Sequence, residues 1–247
     1  MNRKDLPTTS LQRLVYSTRA VVSVYPTVFL PYARRKYGRD IDDRVVTRDT
    51  ELVIEGFQRS GNTFAVVAFE SAQPRPVKTA HHMHAAAQIV AAARMGIPTL
   101  VLIRDPESSV LSHMVREPGI SAGQALGNWV RFYEHVIACR DRVVMAGFEH
   151  VTTDFGMVVR EVNRRFDTRF AEFEHTDANV ERCFEVIEQR SRMRYGAIRE
   201  QMIARPSPER DRLKNVLRRQ YEAERLARLR ARAAAVYRAL VPSPSVS

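Results

Sequence analysis

The densest chemistry in the sequence lies in Gly56-Phe57-Gln58-Arg59-Ser60-Gly61-Asn62-Thr63. The spacing is that of a phosphate-binding loop, G-x-x-x-x-G-K-[ST], with Asn62 standing where the lysine belongs. Glycines let the backbone wrap closely round an anion, and unpaired amides at a helix start point towards it. Thr63 adds a hydroxyl, and Arg59 adds a cation whose planar fork suits phosphate or sulfate. An ATP-dependent phosphoryl-transfer enzyme places the missing lysine on the β- and γ-phosphates. With no strand-end acid for Mg²⁺ other than Asp105, the loop points to an anion site and away from ordinary kinase or ATPase chemistry.

Two further groups stand out. Arg104-Asp105-Pro106 is followed, eight residues beyond the arginine, by Ser112; a guanidinium and a hydroxyl suit a doubly charged phosphate monoester. His81-His82-Met83-His84 brings three imidazoles together, and imidazole, with an ordinary pKa of about 6.5, is the natural acid–base group near neutrality. His82-x-His84 is also a metal-ligand spacing. No cysteine or carboxylate set completes such a site, so no metal is expected. A histidine here also has a structural alternative, capping the next helix or packing on Met83. Glu55, just before the loop, is a second candidate base, or a residue that faces the helix layer or pairs with an arginine.

The elements that must position these groups read as alternating strands and helices. Glu51–Glu55 is a short apolar strand broken by Gly56, and 63–71 is a helix, so the loop joins strand to helix. A second strand is placed near Val77–Thr79, with the histidines following it, and a helix over Ala85–Met95 stopped by Gly96-Ile97-Pro98. Thr99–Ile103 has no polar face, as a central parallel strand requires. A helix starts near Glu107, another covers Ala122–Arg140, and Arg142–Ala146 is a further strand. Ser207-Pro208-Glu209 reads as a helix start, and a single last helix is expected to carry Leu213, Leu217, Leu226, Val236 and Leu240 on one stripe. This order predicts an α/β fold, a parallel sheet flanked by helices with a helix-rich C-terminal third. Ligands of such sheets bind at the carboxyl ends of the strands, where both motifs fall. The organisation expected is a basic N-terminal arm over 1–50, an α/β domain over 51–240 and a flexible tail over 241–247.

Composition limits the partners. Lys and Arg total 39 against 28 Asp and Glu, a formal net charge of +11, which favours anions: a nucleotide, nucleic acid, a sulfated or phosphorylated compound, or an anionic membrane surface. No basic motif interleaved with aromatics is visible, so nucleic acid is not expected. The two cysteines, Cys139 and Cys183, have no metal-type spacing and read as buried thiols of a reducing compartment. The apolar run over 21–30 is too short to span a bilayer. The location expected is cytoplasmic, with peripheral membrane contact left open.

Taken together, Arg59-Ser60-Gly61-Asn62-Thr63 and Arg104-Asp105-Pro106…Ser112 resemble the motifs of the PAPS-dependent sulfotransferases (PAPS, 3′-phosphoadenosine 5′-phosphosulfate). That family carries [K/R]-S-G-[T/N]-T for the 5′-phosphosulfate and R-D-P-x-x-x-x-x-S for the 3′-phosphate. The similarity covers about 52–117 and extends loosely through Phe148-Glu149 and Thr153-Asp154-Phe155. It implies a three-layer, P-loop NTPase-like fold and a sulfuryl transfer from PAPS to a hydroxyl or amine of a carbohydrate, lipid or small metabolite, leaving 3′-phosphoadenosine 5′-phosphate (PAP). Arg59, Ser60, Gly61, Asn62 and Thr63 would then hold the 5′-phosphosulfate, and Arg104 and Ser112 the 3′-phosphate. Many members have lysine where this chain has Arg59, which keeps the charge but spreads it over a planar fork. A histidine after a Lys-Thr pair is the family's base; here Lys78-Thr79 is followed by Ala80 and then His81 and His82, and both remain candidates. The family's basic R-K-G loop near the C-terminus is missing. Arg205 and Arg210 fall at that place, as extra phosphate contacts or as a solvated helix start. The alternatives are a P-loop nucleotide kinase or NTPase and a non-enzymatic basic protein that binds nucleic acid or a membrane surface through its terminal helix.

Overall fold

The computed structural model describes residues 10–37, 44–196 and 208–241. Four parallel strands, β1 (Leu52–Gly56), β2 (Thr79–His81), β3 (Thr99–Ile103) and β4 (Val144–Gly147), form one sheet in the order β2-β1-β3-β4. Register is fixed by the pairs Ile54↔His81, Glu55↔Val101 and Leu102↔Ala146. β1 and β3 are buried along their whole length, as central strands covered on both faces must be.

Alternate side chains of those strands enter different helix layers. Leu52, Ile54, Leu100 and Leu102 pack against α3 (Asn62–Ala72), α8 (Phe155–Phe166) and α9 (Asp177–Tyr195), around Phe64, Phe69 and Val159. Val101 and Ile103 point the other way, to α4 (Ala86–Met95), α5 (Pro106–Arg116), α6 (Ala122–Ile137) and α11 (Ala227–Leu240), around Ile89, Leu111 and Trp129. Helices α1 (Ser10–Val22) and α2 (Pro26–Tyr37) precede the sheet, and Phe29 and Ala33 of α2 join Val53 and Ala87 in a third apolar cluster. The short α7 (Phe148–Thr153) and α10 (Pro208–Glu222) complete the helices. The result is the three-layer α/β fold with a central parallel sheet and helical C-terminal third that the sequence predicts.

Three boundaries differ from the sequence reading. β2 lies two residues later than expected, because its pairing with Leu52–Ile54 fixes it at Thr79–His81; His81 therefore ends the strand and does not follow it. α6 stops at Ile137, a 3-10 turn spans Arg140–Arg142, and β4 starts at Val144, where pairing with Leu100 begins. The final helix is two helices. Ala223 turns to an extended conformation (φ −49°, ψ 135°), and Arg230 Nη1 donates to the released carbonyls of Tyr221 (2.7 Å) and Ala223 (3.0 Å). The apolar stripe serves two neighbours, α5 for α10 and α6 for α11, so its near-helical spacing conceals a break. Ser207 and the tail 242–247 lie outside the described residues. Both cysteines are buried and free, and no helix among the described residues is long and apolar enough to cross a membrane.

Candidate active site

Each strand hands the chain to a chemically active residue at its carboxyl end. β1 leads into the glycine loop, β2 into His82, β3 into Arg104 and β4 into Phe148. The chain crosses from one side of β1 to the other between β2 and β3, so the loop sits at a switch point of the sheet, where open α/β sheets leave a crevice for ligands.

The loop is closed from behind by its own side chains. The N–H of Phe57 donates to Tyr133 Oη (3.3 Å), and Tyr133 Oη donates to the carbonyl of Leu102 (2.7 Å). With that proton committed, the Ser60 hydroxyl donates to Tyr133 Oη (3.3 Å). Asn62 Nδ2 donates to the carbonyl of Phe57 (3.0 Å). The Ser60 hydroxyl and Asn62 carboxamide are thus turned inward, and Asn62 brings no charge in place of lysine. Gly61 sits at φ 90° at the start of α3, and Arg59 at φ 70°, a left-handed backbone that only glycine enters without cost. A side chain at Gly56 would meet Leu102 O at 2.4 Å, so only glycine lets β1 run this close to β3.

Arg59 and Arg104 meet over this loop. Arg59 Nε donates to Ser112 Oγ (2.9 Å), which leaves its terminal nitrogens for another partner. Arg104 Nη1 donates to the carbonyl of Arg59 (3.3 Å), and its guanidinium lies 3.9 Å from the centre of the Phe148 ring, a stacking that fixes its plane. Asp105 does not pair with Arg104; its Oδ1 caps α5 by accepting from Ser108 N (2.9 Å), with Pro106 in the first turn. Arg210, at the start of α10, is buried. Burial, followed by repulsion from Arg116, Arg210 and Arg104, pushes the Arg59 pKa down to about 9. Arg59 and Arg116 form no ion pair among the described residues. The repulsion that Arg59 feels from these guanidiniums places it in a positive field that favours an anion. Arg205 lies outside the described residues.

The histidines gather on the far side of Thr63. Thr63 Oγ1 and His82 Nε2 are 3.2 Å apart, and His82 Nδ1 and His81 Nδ1 are 2.7 Å apart. His84 Nδ1 donates to the carbonyl of Gly56 (2.9 Å) and so braces the loop. His82 (φ 59°) and His84 (φ 49°) both hold left-handed backbone, and Glu55 holds them there. Its carboxylate accepts from the N–H of Met83 (2.6 Å) and of His84 (2.9 Å). Glu55 is fully buried, and burial outweighs these hydrogen bonds, raising its pKa to about 8. Glu55 therefore neither pairs with an arginine nor opens to a substrate; it latches the histidine segment. Glu55→Ala orphans two buried donors at about 1–3 kcal/mol each. A stability loss on the order of 3 kcal/mol is expected in chemical denaturation, and an unchanged midpoint would contradict the latch.

A second network was invisible in the sequence. Asn128 Nδ2 donates to Tyr16 Oη (3.1 Å), and Tyr16 Oη lies 3.1 Å from His113 Nε2. His113 Nδ1 is buried without a partner, and its ring stands edge-on to Phe57. These residues come from α1, α5 and α6, so no local spacing links them; nor does any mark Tyr133. A groove of about 400 Å³ opens nearby between α1, the α5–α6 connection and α10, lined by Arg13, Met114, Gly119, Ile120 and Leu217 among others.

Burial holds His81 and His84 near pKa 4 and His113 near 3, and keeps His82 well below the ordinary value. Depressed imidazoles contribute stability that is complete above about 6.5 and lost as pH falls towards their folded values. Glu55, with its raised pKa, has the opposite sign: its contribution is lost as pH rises from about 4.5 through about 8. Four histidines outnumber one carboxyl on the acid side, and Glu55 acts alone above 6.5. The thermal midpoint of the free protein is expected to peak near pH ~6.5. A midpoint that climbs steadily from 6.5 to 8 would contradict this balance.

No protein-family model matches the chain, and no curated protein matches it in sequence. Among solved structures, the crystal structure of mouse sulfotransferase SULT7A1 complexed with PAP is similar at a TM-score of 0.40 and 13% identity, over 79% of this chain and 92% of that one.

Proposed function

We propose that this chain is a PAPS-dependent sulfotransferase acting on a hydroxyl acceptor. The observation that carries the reading is the cluster of Arg59, Arg104, Arg116 and Arg210 round a strand–loop–helix anion cradle, with a neutral imidazole hydrogen-bonded to the cradle's threonine. PAPS presents an anion at each end of its nucleotide, and two arginine-bearing strand ends suit that distribution. In this reading the amides of Gly61–Thr63 and the Arg59 guanidinium hold the 5′-phosphosulfate, while Arg104, with Arg210, takes the 3′-phosphate. Ser112 acts through Arg59, orienting its guanidinium.

The transfer is a single in-line displacement. The acceptor oxygen forms a bond to sulfur as the bond between sulfur and the 5′-phosphate oxygen breaks, and the acceptor proton passes to His82 Nε2. Negative charge grows on the departing phosphate, where Arg59 and the helix-start amides would stabilise it in this reading. The approach of His82 Nε2 to Thr63 supports His82 as the base in this reading, with His81 as its orienting partner.

The test is transfer of a radiolabelled sulfuryl group from PAPS to a panel of carbohydrates, hydroxylated lipids and small alcohols or phenols. Label reaching an acceptor with wild type but not with Arg104→Ala supports the reading. Magnesium-dependent ATP turnover without any sulfuryl transfer would replace it with the NTPase reading. Three of the arginines of α10 and α11 are engaged within the fold, Arg218 with Glu107, Arg232 with Glu134 and Arg230 with backbone carbonyls, which weighs against the terminal-helix binder.

A further inference from the structure

Helix α1 is built inside out. Its inward face carries Tyr16, Ser17 and Ala20, while Leu11, Leu14, Val15 and Val21 are 67%, 62%, 59% and 45% exposed. The row continues beyond the helix through Tyr25 (51% exposed), and α2 adds Val28 and Tyr32 at 54% and 46%. Seven of the thirteen large hydrophobic side chains that the described residues expose lie within these 22 positions. Scattered exposed apolar side chains need no explanation, but a concentrated row does.

The charge pattern names the occupant. Residues 10–37 contain five basic side chains, Arg13, Arg19, Arg34, Arg35 and Lys36, and no acidic one. Lys36 Nζ rests over the Tyr32 ring at 5.3 Å. Apolar side chains beside tyrosines and an excess of basic residues match the layered chemistry of a membrane interface, where hydrocarbon lies under anionic headgroups. A second protein would have to supply both an apolar strip and acidic groups; an anionic bilayer supplies both everywhere.

We infer that α1 and α2 dock the protein on an anionic lipid bilayer, with Leu11, Leu14 and Val15 entering the acyl boundary and Arg35 and Lys36 meeting headgroups. The docked helix is also a wall of the candidate active site, because Tyr16 reaches His113 and Arg19 Nη2 donates to the carbonyl of Met83 (3.1 Å). An acceptor presented at the membrane surface is then within reach. That consequence rests on the sulfotransferase reading; the docking does not.

The experiment is co-sedimentation of the full chain with vesicles of phosphatidylcholine mixed with phosphatidylglycerol, and with phosphatidylcholine alone, alongside a calorimetric titration with PAP. Wild type is expected to partition onto the anionic vesicles and more weakly, by at least about tenfold, onto neutral ones. Leu11→Gln with Leu14→Gln and Val15→Gln, all exposed positions, is expected to lower partitioning by about tenfold or more with circular dichroism unchanged. Arg35→Gln with Lys36→Gln is expected to lower it about fivefold or more on anionic vesicles only. The inference is overturned if the triple variant partitions like wild type, or if wild type ignores anionic vesicles. It is equally overturned if wild type is a dimer that the triple variant dissociates, which would make the row an interface between copies. Loss of PAP binding with vesicle binding intact would instead sink the donor reading alone.

Discussion

Replacing His82 with alanine is expected to lower kcat for sulfuryl transfer by about 10²–10⁴-fold, the usual range for loss of a positioned general base. PAP affinity should stay within about threefold of wild type, since the proposed role of His82 is to take the acceptor proton and not to hold the nucleotide. The pH profile carries a sharper signature. Burial, with neighbouring His81 and His84, holds His82 well below the ordinary imidazole value, and a depressed pKa keeps the base form at lower pH. The acid limb of kcat/KM, which reports the free enzyme, should therefore be flat through pH ~6.5 and fall only below it. His81→Ala is expected to cost less, since it removes only the Nδ1 partner that orients the ring. Equal losses for the two variants together with a limb centred at 6.5 would mean that His82 is not the base.

Arg59→Ala is expected to have the second large effect, and it separates binding from chemistry. An arginine that stabilises charge growing on the departing phosphate supplies an interaction stronger in the transition state, and its loss should cost about 10²–10³-fold in kcat. An arginine that only holds the donor would raise KM and leave kcat in place. The position of the side chain favours the first outcome. Its Nε is committed to Ser112, so its terminal nitrogens form a fixed fork over the loop; Ser112→Ala should reproduce part of the kcat loss by releasing that fork. Arg59→Lys is expected to recover donor binding better than turnover, since an ammonium keeps the charge without the fork. The free protein should not lose stability in Arg59→Ala, because burial and three guanidiniums already oppose the charge there. A large fall in thermal midpoint with kcat little changed would make Arg59 a structural residue.

What the sequence made legible was local. Gly56 to Thr63 and Arg104 to Ser112 are contiguous, and each needs only its own strand and helix to be recognised. Thr99–Ile103 announced the central strand because both of its faces are apolar. The histidine segment was legible in composition but not in register, since β2 is three residues long and only its pairing with β1 decides that His81 belongs to the strand. The contact that distinguishes His82 from His81 is with Thr63, nineteen residues away. Tyr133 and the Tyr16–His113–Asn128 network were missed because their partners are distant in the chain and their helices carry ordinary amphipathic patterns. Glu55 could be flagged as unusual, an acid inside a buried strand, yet its partners are backbone amides that no residue type advertises. The break at Ala223 escaped because alanine gives no stop signal; packing onto two different helices ends α10 there.

The central claim, a donor site that reads a 3′-phosphate through Arg104, is tested most directly by calorimetric titration of wild type and Arg104→Ala with PAP and with adenosine 5′-phosphate. Wild type should bind PAP at least about 100-fold more tightly than adenosine 5′-phosphate, as loss of a charge-assisted pair predicts. In Arg104→Ala that preference should collapse while the weak affinity for adenosine 5′-phosphate persists. Equal affinity of wild type for the two nucleotides, or a preference for PAP that survives in Arg104→Ala, would contradict the account.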